Sequence, residues 1–151
     1  MPEIYQTDSQ FPTAIQEWGC FFLSTLKAMA VLFDASIWNY GSIMTIYEQA
    51  EIDHVLLSDL TVKDAQGLCE AVAPSRVKYL DGASSAYPTA SDQFEILVWH
   101  REGVDFNHFT LGGGGKMGGT VGVVYYDPYS AAGSLSVKEG QIIGKRIFHI
   151  I

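Results

Sequence analysis

A chain of 151 residues, 48% of them hydrophobic and 17% charged, has the size of one domain and the apolar material for a core, which excludes a disordered or low-complexity protein. Seventeen acidic against nine basic side chains give a formal charge of -8, and the basic residues are scattered, so neither the phosphate backbone of nucleic acid nor an anionic membrane surface is an expected partner. The apolar stretch 20–33 is interrupted by Ser24, Thr25 and Lys27 and is too short for a bilayer, and the polar, acidic opening residues do not form a secretory n-region, so the expected location is cytoplasmic.

Residues 1–13 read as an extended lead-in containing Pro2 and Pro12. From Gln16 onward Trp18, Phe22, Leu26, Met29 and Phe33 recur at steps of three and four, which places them on one helical face. Phe21, Leu23 and Leu32 widen that face until little polar surface remains, so the spacing predicts a buried central helix with Gly19 and Cys20 at or near its N-terminus. A short helix over about 42–51 would align Ile43, Ile46, Tyr47 and Ala50. Within 59–73, Thr61 is the expected N-cap and Asp64 its box partner, followed by an apolar stripe of Ala65, Leu68, Cys69 and Val72 that Pro74 ends. Cys69, on that stripe, reads as a buried structural thiol.

After Pro74 the period shifts toward two, predicting strands at about 76–80, 94–100, 106–112, 121–127 and 146–151. Helices followed by an antiparallel sheet make an α+β fold, and with no internal repeat or linker the chain reads as one domain over 1–151. The glycine cluster 112–119 is not a phosphate loop, because Thr110 stands where the first glycine would fall and Met117 follows Lys116. It reads as a hairpin loop whose expected use is to control access to the residues on the strands it joins. No set of His, Cys and carboxylates has zinc-ligand spacing, so no metal or other cofactor is expected.

A cysteine nucleophile needs its thiolate favoured, which a helix N-terminus and a neighbouring imidazolium accomplish by placing positive potential beside the sulfur. Cys20 has the first condition. Of the four histidines, His54, His100 and His149 read as surface or satisfied core, whereas His108 lies in a strand that would pair with the strand ending in Asp127. A carboxylate there could orient the imidazole and stabilise its cation.

The ordered elements Gln16-x-x-Gly19-Cys20 opening an apolar helix, Asn107-His108-Phe109-Thr110 in a strand and Tyr126-Asp127-Pro128 ending the next one resemble the bacteriocin-processing, double-glycine branch of the papain-like cysteine peptidases. The likeness runs from about Gln16 to the end and extends to the small members on phage and plasmid genomes, with their Ser-rich segment, glycine turn and final Arg-aromatic strand, here Ser134 to Val137, Gly140 and Arg146-Ile147-Phe148. The resemblance implies a papain-like fold, an N-terminal buried helix on an antiparallel sheet of four to six strands, and a Cys20–His108–Asp127 triad that hydrolyses a peptide or related amide bond of a peptide or protein substrate. It also implies an oxyanion donor upstream of the cysteine, for which Gln16 is the nearest glutamine although it stands closer to Cys20 than the papain pattern places it. Trp18, Gly19 and Asn107 become the expected substrate-binding positions, and the backbone N–H of Cys20 the second oxyanion donor. Phe21-Phe22 departs from the small residues usual after the nucleophile, leaving as the alternative a catalytically inactive member that binds or inhibits a host component for a mobile element.

Overall fold

A computed structural model describes residues 2–56 and 62–151. In chain order the elements are α1 (Thr13–Trp18), α2 (Cys20–Leu32), α3 (Tyr40–Ile52), α4 (Ala65–Val72), β1 (Val77–Ala83), β2 (Gln93–His100), β3 (Asn107–Gly112), β4 (Val124–Tyr126), α5 (Leu135–Glu139) and β5 (Gln141–Ile150). The fold is α+β, with a five-stranded sheet in the order β1-β5-β2-β3-β4. Every neighbouring pair is antiparallel.

α2 is the central helix the periodicity predicts, and all but its ends are buried, Phe22, Leu23, Leu26 and Met29 completely. It lies against β3, where the Ser24 hydroxyl reaches the Phe109 carbonyl at 3.4 Å. The sheet meets the helix layer with Phe94, Ile96, Leu111, Tyr126 and Phe148, and the rings of Phe94 and Phe148 stack at 4.6 Å between centroids. Truncating one of these side chains, such as Leu26→Ala, costs about 2–5 kcal/mol in such a setting. The lead-in is tied down at its start: Glu3 meets the buried Lys27 ammonium at 3.0 Å, and that ammonium also lies over the rings of Trp38 and Tyr126.

α3 is capped by Asn39, whose Oδ1 accepts from the Ser42 N–H at 2.9 Å. Asp64 is itself the cap of α4, accepting from the Gly67 N–H at 2.8 Å, rather than the third residue of a box. Thr61, the expected cap, lies outside the described residues. α4 ends before Pro74, as its missing N–H requires.

The sheet's other face carries a second buried assembly. Phe94 and Ile96 face α2, so strand alternation turns Glu95 the opposite way. Its Oε1 accepts from Lys145 Nζ at 2.8 Å and from the Thr89 hydroxyl at 2.6 Å, and its Oε2 accepts from the backbone N–H of Gly122 at 2.8 Å and of Gly114 at 3.1 Å. Lys145 spends its remaining donors on the Tyr87 carbonyl and the Thr89 hydroxyl. Burial opposes the charge on Glu95, but its bonds from Lys145, Thr89 and Gly122 outweigh that and hold the carboxyl below the usual carboxylate range. The glycine loop therefore wraps a buried carboxylate, and a Cβ on Gly114 would press within 3.0 Å of it. This corrects the expectation that the loop governs access to His108, because none of its residues lines the clefts around Cys20.

Candidate active site

The site begins with a broken helix. α1 ends at Trp18, Gly19 donates its N–H to the Ile15 carbonyl at 2.9 Å, and α2 starts afresh at Cys20. A Cβ on residue 19 would stand 2.6 Å from the Ile15 carbonyl oxygen, so only glycine lets the two helices abut this closely. The Gln16 carbonyl takes its hydrogen bond from the Gln6 side-chain amide at 3.1 Å. As the first residue of α2, Cys20 carries one of the N–H groups that have no partner inside their helix, and its sulfur sits where the helix dipole is positive.

The β3–β4 pairing supplies the other two groups. Leu111 lies opposite Tyr126, so the chain that follows β4 runs back alongside His108. His108 Nε2 meets Asp127 Oδ1 at 2.8 Å, with side-chain exposures of 8% and 7%. The carboxylate is fixed in turn by the backbone N–H groups of Tyr129, at 3.0 Å to Oδ1, and Ser134, at 2.8 Å to Oδ2. Burial works against the charge on Asp127, but the bonds from His108, Tyr129 and Ser134 hold it below the usual carboxylate range. For His108, burial disfavours the cation, while hydrogen bonds with Asp127 and with Cys20 prevail and raise it to about 9. These bonds favour the charged form of the imidazole, which has the Asp127 carboxylate at Nε2 and shares its cleft with Cys20.

Cys20 and His108 open onto a cleft of about 500 Å³ whose walls include Gln6, Gln16, Trp18 and Tyr129. Cys20 also lines a second cleft of about 530 Å³, bounded by Phe21, Phe109 and Tyr79, with Asp81 and Arg146 in its wall. Trp18, Phe106 and Asn107 belong to both, and the Trp18 and Phe106 rings meet edge to face at 6.2 Å. Cys20 thus sits at the junction of two grooves.

Of the three expected triad residues, His108 meets Asp127 and lines one cleft with Cys20. Trp18 and Asn107 are exposed at the junction, and Asn107 Oδ1 lies 3.2 Å from His100 Nδ1. Gly19 is buried behind Cys20 and acts on the backbone path. Phe22 turns into the core against Tyr47, so of the two rings after Cys20 only Phe21 borders a groove, packed against Phe109 at 5.1 Å. Gln16 lines the cleft and donates from Nε2 to the Phe11 carbonyl at 2.7 Å. Sequence reading overlooked Gln6, which is 2% exposed in the same cleft and whose Oε1 is buried without a partner among the described residues. It lies in an irregular segment far from Cys20 in sequence, held by its N–H to the Pro128 carbonyl at 2.7 Å, and no spacing rule points to it. Cys69 is fully buried, and burial, with Glu70 and Asp64 nearby, pushes its thiol up to about 12. His149 pairs loosely with Asp92 at 3.6 Å, and His54 is exposed. No helix among the described residues is long and apolar enough to cross a membrane. Comparison with known proteins finds no match to this chain among family models, curated sequences or solved structures.

Proposed function

We propose that this chain is a papain-like cysteine hydrolase that cleaves a peptide or related amide bond. The observation that carries the reading is the buried His108–Asp127 pair lining one cleft with Cys20, the first residue of the buried central helix. The order of the elements, a cysteine opening a buried helix that packs on an antiparallel sheet carrying His and Asp on adjoining segments, supports it as well. A cation beside the sulfur and a helix N-terminus beneath it are the conditions a thiolate nucleophile needs.

In the proposed reaction the Cys20 sulfur attacks the scissile carbonyl carbon, forming a C–S bond, and the carbonyl oxygen becomes an oxyanion. The Cys20 N–H and a glutamine amide, from Gln6 or Gln16, face that charge. His108 gives its proton to the departing nitrogen as the C–N bond breaks, leaving a thioester. Water then attacks the thioester carbon, His108 takes the water proton, and the C–S bond breaks to release the acid and restore the cysteine–imidazolium pair. Asp127 keeps the ring oriented throughout and offsets its charge.

The test is incubation of the protein with a mixed-sequence peptide library, read by mass spectrometry, beside the Cys20→Ala chain. New termini formed by the native chain and absent with Cys20→Ala are expected. A parallel titration with iodoacetamide at pH 6 should label Cys20 well before Cys69, and equal sluggishness at both would remove the catalytic reading.

A further inference from the structure

We infer that the cleft flanked by Arg101 receives a carboxylate-bearing segment of the peptide substrate, which deepens the function proposed above and rests on its choice of site. The buried side-chain atoms left without a hydrogen-bond partner among the described residues include Gln6 Oε1 and Arg101 Nε, and both residues line the cleft that opens onto Cys20 and His108. One is an acceptor and the other a donor. A buried polar atom without a partner costs free energy in the empty protein, and a ligand that supplies the partner recovers it. The complementary ligand offers an N–H toward Gln6 and an anionic oxygen toward Arg101, as a peptide bearing a carboxylate does.

Arg101 is built for that role. It follows β2 directly, and among the described residues only its Nη1 is engaged, at 3.4 Å from the largely exposed Glu139 carboxylate. The guanidinium is permanently charged, and its planar fork holds a carboxylate through two parallel N–H bonds, which a lysine cannot reproduce. Glu17 lines the same cleft, so a carboxylate is favoured near Arg101 and repelled near Glu17. A chain carrying a formal charge of -8 also repels acidic ligands in general, so any preference for acid has to come from a local cation.

The experiment is calorimetric titration of the full-length Cys20→Ala chain, which binds without turnover, with three probes: acetyl-Ala-Gly-Gly-Glu-amide, its Gln counterpart, and acetyl-Ala-Gly-Gly as the free acid. The acidic probes are expected to bind roughly tenfold more tightly than the Gln peptide. Adding Arg101→Gln should erase that preference, and Arg101→Lys should restore only part of it. A preference for the Glu peptide assigns the carboxylate to a side chain, and one for the free acid assigns it to a chain terminus. Equal affinities, no measurable binding by any probe, or a preference that survives Arg101→Gln would overturn the inference. The iodoacetamide titration reads the triad separately: if Cys20 proves inert while the acid preference holds, the subsite stands on a binding protein and the hydrolase reading falls.

Discussion

Two buried ion pairs sit on this sheet, and they have opposite fates. His108–Asp127 and Glu95–Lys145 are both closed at 2.8 Å, and all four side chains are less than a tenth exposed. Glu95 and Lys145 are sealed beneath the glycine loop and the 87–89 segment, and each oxygen and ammonium donor is committed to a partner inside the protein. Asp127 is equally committed, but its histidine turns toward a thiol at the floor of an open cleft. Burial of charge therefore does not mark the chemistry here. What distinguishes the candidate site is that its histidine lines an open cleft together with a cysteine.

The sharpest way to break the comparison is to remove one member of each set. His108→Ala should lower peptide hydrolysis by about 10³-fold or more, since the members of such a triad act as a unit, and should also cost stability at neutral pH, because Asp127 is left buried without its partner. Lys145→Met should cost stability alone. It strands the Glu95 carboxylate in the interior and should cost about 3–5 kcal/mol in a denaturant titration, with activity per folded molecule retained. Activity lost in Lys145→Met at full folding would mean that the two regions are not independent.

The next effect is the pH dependence of stability, which only the first pair should show near neutrality. His108 rises from 6.5 to about 9 on folding, so its contribution is complete below pH 6.5 and is lost as pH rises through about 9. The shift amounts to roughly 3 kcal/mol. Asp127 is held below 3.8, so its contribution is present above that value and fades only in stronger acid. Asp127→Asn should flatten the decline between pH 6.5 and 9, and an unchanged slope in urea titrations across that window would show that the carboxylate does not hold the imidazolium. Somewhat smaller is the contrast between the two cleft glutamines. Whichever supplies the oxyanion donor should, on truncation to Ala, lower kcat by about 10²-fold with KM little changed, and the other should not. Gln16 already gives one N–H to Phe11 and Gln6 gives one to Gln16, so the two kcat values decide which has its second N–H over the substrate.

The sequence made one of these regions legible and hid the other. The central helix, its start at Cys20 and the hairpin that brings Asp127 to His108 follow from apolar spacing and turn residues, signals that are local along the chain. Strand β5 begins at Gln141, five residues earlier than its pattern suggests, because Gly144 and Lys145 look like turn and surface. Lys145 is in fact buried, and what makes it a strand residue is Glu95 fifty positions away. The glycine run is opaque for the same reason, since its spacing answers to a carboxylate on β2 rather than to a ligand. Gln6 and Arg101 belong to this class too: contacts with the 126–129 turn and with α5 place them in the cleft, and neither contact has a periodicity. Helix α5 escaped notice because its five residues lie in a Ser-rich stretch, and its start shows only in the Ser134 cap on the Val137 N–H.

The smallest predicted effect probes how the two kinds of information meet at one atom. Gly19 is buried beside Cys20, and a methyl group there collides with the Ile15 carbonyl, which is backbone and cannot rotate away. Its backbone angle is ordinary for any residue, at φ -79°, so the penalty of Gly19→Ala is steric and falls on the α1–α2 junction. A loss of about 1–3 kcal/mol in stability is expected, in line with overpacking elsewhere. If the junction opens, the Cys20 sulfur moves relative to His108, and alkylation by iodoacetamide at pH 6 should slow far more than the stability loss alone would suggest. Glu95 and Lys145, on the far face, should be untouched, so the Lys145→Met penalty measured in the Gly19→Ala background should equal that in the native chain, since distant, independent sites add. A penalty that changes by more than about 0.5 kcal/mol would show that the helix break and the buried carboxylate are parts of a single assembly.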